Sequence, residues 1–201
     1  EKAAPMDIRP LVLEGARARL EPLTRDHRAA LSAVGLEGDV FKWFPTPVTD
    51  DAGMLAFIET ALEGQRQGSV LPFATIDRKS GAAVGSTRFA AIDRVHKRAE
   101  IGWTWLARPW QRSGINLDTK YLMLRQAFEV WGMIRVEFKT DRLNVQSQTA
   151  LAGIGAKLEG TFRNHIITST GRVRDSVWYS VIDREWPAVK TELARRLAAG
   201  G

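Results

Sequence analysis

Apolar residues recur along the 201-residue chain with two periods, one near two and one near 3.6, and this predicts strands and helices in alternation. Over residues 17–23, Ala18, Leu20 and Pro22 alternate with charged residues, the pattern of a first strand. Thr24 is then placed to cap a helix over residues 26–34. A clearer helix opens at Thr49-Asp50-Asp51, where Met54, Phe57, Ile58, Ala61 and Leu62 keep helical spacing until Gly64 and Gly68. Strands follow at 71–77 and 83–92, joined by the hairpin signal Arg78-Lys79-Ser80-Gly81, and a further strand at 100–106. The stripe Leu117, Tyr121, Leu124, Phe128 and Trp131 predicts an amphipathic helix closed by Gly132, with a strand at 135–141 behind it. A helix over 144–155, a hairpin of 157–167 and 172–182 across Ser169-Thr170-Gly171, and a polar helix or tail from residue 184 complete the chain. Antiparallel strands with helices packed on them indicate an α/β sandwich around one mixed sheet.

Composition narrows the class. With 44% hydrophobic residues, a chain of this length can bury a sizeable core, and one domain is expected over 15–186, with a tail at 1–14 and a helix or tail at 187–201. The absence of cysteine excludes a disulfide framework, a thiolate zinc site and a cysteine nucleophile, and is compatible with a cytoplasmic protein. No apolar run approaches the ~20 residues that span a bilayer. Glu1-Lys2-Ala3-Ala4-Pro5 lacks an apolar signal core and reads as a remnant added ahead of a native start at Met6. The net charge of +6 permits nucleic acid, yet the basic residues are scattered, and their densest groups, Arg94 to Arg98 and 163–174, fall around hairpin ends. Charge alone therefore selects no partner.

The chemistry concentrates in Gln111-Arg112-Ser113-Gly114-Ile115-Asn116, between the strand at 100–106 and the helix from 117. A turn feeding into a helix N-terminus gathers unpaired N–H donors and the positive end of the helix dipole, an arrangement that holds a diphosphate. Gly114 can take positive φ and let the backbone approach an oxyanion, and Arg112 offers a planar fork to the same group. Asp118, one residue into the helix, suits the dipole but would repel a phosphate that it faced.

This loop resembles the acetyl-CoA loop of the GCN5-related N-acetyltransferases (GNAT), usually Gln/Arg-x-x-Gly-x-Gly/Ala after the fourth strand. Ala99-Glu100-Ile101-Gly102-Trp103, Pro109-Trp110, Asn144-Val145-Gln146-Ser147 and Gly155-Ala156-Lys157-Leu158-Glu159-Gly160 extend the resemblance to the branch of ribosomal-protein N-terminal acetyltransferases (RimJ/RimL type). One position departs: Asn116 stands where Gly or Ala is usual, tolerating left-handed geometry and favouring a helix N-cap, but bringing a side chain toward the diphosphate.

What the resemblance implies is specific. The fold would be a GNAT-type mixed, mostly antiparallel sheet flanked by helices, with a splay between that family's fourth and fifth strands, here 100–106 and 135–141. Gly102 would mark a bulge beside the splay. Backbone groups around Trp103, Trp105 and Leu106 would pair with the pantetheine arm as with an added strand. Acetyl-CoA would be held by Trp105, Leu106, Gln111, Arg112, Ser113, Gly114, Ile115 and Asn116, with Asn144 on the pantetheine amides and Ser147 near the sulfur, as the acid for the leaving thiolate. Asn144 and Ser147 also read as an ordinary helix cap and its first turn. Many relatives carry a tyrosine seven residues after this Asn, where Leu151 stands, so Ser147 or a water must serve as acid.

An amine must lose a proton before it attacks a thioester, and Glu100, Glu137 and His165 are the candidate bases. Each has a structural alternative: Glu100 paired with Arg98, Glu137 with Lys139 or Arg135, and His165 as a satisfied strand histidine. Trp43-Phe44-Pro45, with Phe89, Trp103 and Trp105, could wall a pocket suited to an apolar or cationic acceptor, whereas Trp131 and Trp178 read as core. The expected activity is acetyl transfer from acetyl-CoA, without a metal, to a primary amine such as a protein or peptide N-terminus. A non-catalytic acyl-CoA sensor and a basic nucleic-acid-binding module are the alternatives. No membrane partner is expected, nucleic acid is disfavoured, and a homodimer stays open.

Overall fold

The computed structural model describes residues 6–200; the remnant suggested at 1–5 lies outside them. The sheet has eight strands: β1 (Leu13–Glu14), β2 (Ala18–Pro22), β3 (Leu71–Asp77), β4 (Ala83–Asp93), β5 (Arg98–Leu106), β6 (Arg135–Asp141), β7 (Lys157–Ile167) and β8 (Val173–Ile182). Their spatial order is β1-β2-β3-β4-β5-β6-β8-β7. All neighbours are antiparallel except β5 and β6, whose parallel pairing runs only from Arg98 opposite Arg135 to Glu100 opposite Glu137. Beyond Glu100 the two strands separate, and the expected splay is present.

Helices cover both faces. α1 (Arg28–Gly35) and α2 (Asp51–Arg66) lie over one side, where Leu31, Met54, Ile58 and Ala61 pack with Phe41 and Trp105. α3 (Ile115–Arg125), α4 (Val145–Gly153) and α5 (Trp186–Ala198) lie over the other, around Leu122, Met123, Leu151, Val189 and Leu193. β3 is buried at every position because both of its faces are covered. Local chemistry accounts for the starts and stops. Asp50 caps α2 by accepting from the Gly53 N–H at 2.7 Å, and Asn144 caps α4 by accepting from the Ser147 N–H at 3.1 Å.

Several expectations need correction. The helix expected from residue 117 begins at Ile115, capped by Gly114 in the left-handed region (φ +83°), and passes into a π turn at Gln126–Val130. Asn116 is thus in the first helical turn and is not the cap. The bulge falls at Trp103 (φ +49°), where Ser86 faces Trp105 but Arg88 faces Gly102. Gly102 instead makes room: a Cβ there would lie 2.8 Å from Glu100 Oε1, so the glycine leaves space for that carboxylate. Trp131 is core as expected, but Trp178 is half-buried, tilted against Phe162 with centroids 4.0 Å apart.

Candidate active site

The bulge decides what faces the splay. Ala99 and Ile101 of β5 point into the α3-side core, so Glu100 and Gly102 point to the α1–α2 side. The extra residue at Trp103 shifts the alternation, and Thr104 returns to the α3 side, where its hydroxyl meets Thr87 Oγ1 at 2.8 Å and Lys120 Nζ at 2.9 Å. Trp105 correspondingly joins the α1–α2 cluster, its ring 5.0 Å from Phe41. The splay opens into a cleft of about 1380 Å³ that reaches from the 111–116 loop to the loop around Trp43.

At one rim of the cleft, Arg112 (φ +60°) and Gly114 (φ +83°) both take left-handed backbone conformations. The first intrahelical bond of α3 runs from the Asp118 N–H to Gly114 O at 2.9 Å, and the Asn116 and Leu117 N–H groups precede it as helix-terminus donors. Gln111, Arg112, Asn116 and Leu117 line the cleft. Ser113 and Ile115 turn inward instead, Ser113 Oγ donating to Trp110 O and Ile115 packing with Ala18 and Val84, so only their backbone can serve a ligand. Asp118 is turned away as well: its Oδ2 accepts from the Arg17 and Ala18 N–H groups at 2.7 and 2.9 Å. The carboxylate that could have repelled a phosphate therefore ties the helix to β2. Coenzyme A fits these residues: donors, a left-handed turn and an arginine converge, with the acidic group removed.

Along β5, Trp105 and Leu106 line the cleft, and Leu106 O accepts from Gln111 Nε2 at 3.0 Å. Asn144 and Ser147 line it from α4. The side-chain oxygen of Asn144 is engaged as the cap, so the capping reading holds while both residues still face the cleft.

The three candidate bases separate clearly. Glu100 lines the cleft, is 3% exposed and pairs with Lys139 (Nζ to Oε2, 3.0 Å) rather than with Arg98. Burial holds its carboxyl above the usual range, with Lys139 opposing that rise. Glu137 is outside the cleft lining, held by Arg135 Nε at 3.0 Å. His165 borders a separate depression with Phe162 and Asp175, its Nδ1 3.0 Å from Ser176 Oγ; burial and then Lys139 and Arg174 push its pKa down. Among the acceptor-wall residues, Trp43, Phe44 and Trp103 line the cleft. Phe89 does not: it is fully buried, edge-on to Trp131 at 4.9 Å and Phe73 at 6.2 Å.

Sequence reasoning missed three buried cations, Arg88, Arg174 and Lys120, and the half-buried hydroxyl of Thr104. Arg88 lies between the Phe57 and Trp103 rings (4.6 and 5.0 Å), with Nε and Nη2 buried and unpartnered, and desolvation lowers its pKa to about 10. Arg174 donates from Nε to Ser176 Oγ at 3.0 Å and from Nη1 to Trp43 O at 3.4 Å, which anchors the aromatic loop. Lys120 and Thr104 form the floor. One signal was available for Lys120, which stands three residues after Leu117 and four before Leu124, in register with the apolar stripe.

A sheet that opens behind a short parallel pair, with an anion-binding helix terminus at the rim, defines a coenzyme A-dependent acyltransferase. A family profile described as an acetyltransferase (GNAT) domain matches residues 17–157, and the chain belongs to that family. It is 30% identical over 110 residues to the Bacillus subtilis (strain 168) protein named ribosomal N-acetyltransferase YdaF, an alignment covering 55% of this chain and 59% of that protein's length. The crystal structure of a GCN5-related N-acetyltransferase from Brucella melitensis is 30% identical, with a TM-score of 0.87 over 96% of this chain and 91% of that one. The fold is shared with Mycobacterium smegmatis RimJ in complex with CoA-disulfide, at a TM-score of 0.81 and 21% identity over 95% of both chains. The chain thus carries an acetyltransferase (GNAT) domain over most of its length. Among the described residues, no helix is long and apolar enough to cross a membrane.

Proposed function

We propose that this enzyme transfers the acetyl group of acetyl-CoA to a primary amine by direct attack in a ternary complex. The donor supplies an activated thioester; the chain binds it, orients it and moves the protons. The 111–116 loop and the first turn of α3 hold the diphosphate, the β5 edge from Trp103 to Leu106 aligns the pantetheine, and Ser147 faces the sulfur end of the cleft. Glu100, the one candidate base that lines the cleft, receives the proton of the amine directly or through one water. The observation that carries this reading is the position of Glu100 where β5 leaves β6, with the donor loop following the end of the same strand and lining the same cleft.

The acceptor enters beside Trp43, Phe44 and Trp103. A free α-amine has a pKa near 8 and a lysine near 10.4, so at pH 7 about a tenth of the former but well under a thousandth of the latter is already neutral. Glu100 is a weak base held by Lys139, and it favours the more easily removed proton. A protein or peptide N-terminus is therefore the acceptor class, consistent with the name of the Bacillus relative. The test is thiol release from acetyl-CoA across a panel of amines. Release with α-amine peptides supports the reading; saturable acetyl-CoA binding without turnover on any amine would instead favour an acyl-CoA sensor.

A further inference from the structure

The floor of the cleft holds a buried cation without a counter-ion. Lys120 is 6% exposed, lines the cleft between β5 and β6, and lies 5.8 Å from the centroid of the Phe138 ring. Its Nζ donates to Thr104 Oγ1 at 2.9 Å, and among the described residues no carboxylate pairs with it. Asp118, two residues before it, is committed to β2, and the carboxylates of Glu100 and Asp141, which line the same cleft, are committed to Lys139 and Arg172. Burial alone lowers its pKa to about 7. An uncompensated charge in such a place costs stability, and an apolar side chain of the same length would avoid that cost. Thr104 occupies one of three N–H donors, so two remain for a ligand in the cleft.

Resting on the acetyl-transfer reading of this cleft, we propose that Lys120 is a further catalytic residue, whose ammonium donates a hydrogen bond to the thioester carbonyl oxygen and stabilises the negative charge that grows there as the amine attacks. The bulge at Trp103 makes this possible, because it turns Thr104 to the α3 side, where its hydroxyl accepts from the Lys120 ammonium and holds it at the floor. Glu100 lies on the opposite side of the sheet. The amine lone pair forms the C–N bond while the carbonyl π pair moves onto oxygen. That pair then returns, the C–S bond breaks and sulfur leaves with its electrons. The amine proton goes to Glu100, the thiolate takes one from Ser147 or water, and Lys120 keeps its own throughout. The thioester oxygen supplies the partial negative charge that the buried ammonium lacks.

Lys120→Met keeps the length of the side chain and removes its donors. The primary readout is isotope-edited infrared spectroscopy of bound acetyl-CoA labelled with 13C at the carbonyl. The carbonyl stretch should move to lower frequency in the wild-type complex, and this shift should disappear in the variant. Turnover on a peptide with a free α-amine should fall by about 10²-fold or more, with acetyl-CoA affinity retained and the Tm unchanged or raised. The same carbonyl frequency in both proteins would overturn the proposal. So would a variant that loses Tm and turnover together while keeping the shift, which is the signature of a structural lysine. A variant that loses only affinity for free coenzyme A at high pH would assign Lys120 to the sulfur instead. If the wild-type chain binds no acetyl-CoA, the cleft reading fails and this role fails with it; normal binding with an unshifted carbonyl defeats this role alone.

Discussion

At the residue scale, position relative to the splay separated side chains that look alike in sequence. Glu100, Glu137 and His165 are all titratable strand residues, but only Glu100 faces the cleft, and Gly102 lacks a side chain where the Glu100 carboxylate sits. Glu100→Gln should lower kcat/KM by about 10²-fold or more and remove the carboxyl's contribution to the acid limb of the pH profile, which in the wild type lies above the usual carboxylate range, leaving only that of the substrate amine. Calorimetry should show acetyl-CoA binding unchanged in this variant, and an unaltered pH profile would return the role of base to His165. Lys120 makes a separate prediction about stability. Its folded pKa, about 7, is below the ordinary 10.5, so between those values the unfolded chain binds a proton that the folded chain does not. Stability should therefore rise with pH across that window, and Lys120→Met should flatten the rise; denaturant unfolding of both proteins at pH 6.5 and 9 measures the difference. Glu100 was legible in the sequence as a candidate. Lys120 was not singled out, because one lysine in an amphipathic helix reads as solvated unless its register with Leu117 and Leu124 is weighed.

At the scale of elements, the apolar periods located the main strands and helices to within a few residues, since each face of the sheet has its own core and burial enforces the alternation. The bulge was less legible. Its position depends on the register between Ser86, Arg88 and their partners on β5, which no local pattern in β5 records. The cap of α3 was misplaced for a related reason: Asn116 is the better capping residue, but Gly114 takes the cap position in a left-handed turn, and Asp118 in the first turn is held by the Ala18 N–H of β2. Two substitutions probe these elements. Asn144→Ala removes the cap of α4 and should cost about 1 kcal/mol of stability, read from the shift in denaturant midpoint. Ser147→Ala leaves that cap in place, and single-turnover kinetics should show slower chemistry with little change in acetyl-CoA affinity. Loss of coenzyme binding with chemistry intact would make Ser147 a binding residue and leave the thiolate to water.

At the scale of the whole molecule, the sheet separates two jobs. On the proposed reading, the α3–α4 side holds the donor and the α1–α2 side receives the acceptor. The aromatic loop between α1 and α2 is fastened to the β7–β8 hairpin by Ser169 N–H to Pro45 O at 2.8 Å and by Arg174 to Trp43 O. This arrangement suits a chain end that enters from outside, and competing peptides can test it, one with only its α-amine free and one with only a lysine free, assayed from about pH 6.5 to 9, a span chosen from their ordinary pKa values. The α-amine should be acetylated faster, most clearly at the acid end; preference for lysine throughout would point to a stronger base than Glu100. The central claim is that the 111–116 loop makes this cleft an acetyl-CoA site. Its most direct test is calorimetric titration of acetyl-CoA into the wild-type chain and into Gly114→Asp, with circular dichroism to confirm that both are folded. The substitution puts a carboxylate at a left-handed position where even a Cβ would lie 2.9 Å from Arg17 Cδ, at the mouth of the diphosphate site. Binding to the wild type should be saturable and one-to-one, weakened about tenfold or more in the variant, a loss of at least ~1.4 kcal/mol. Equal affinity in the two proteins, or no binding to either, would contradict the central claim.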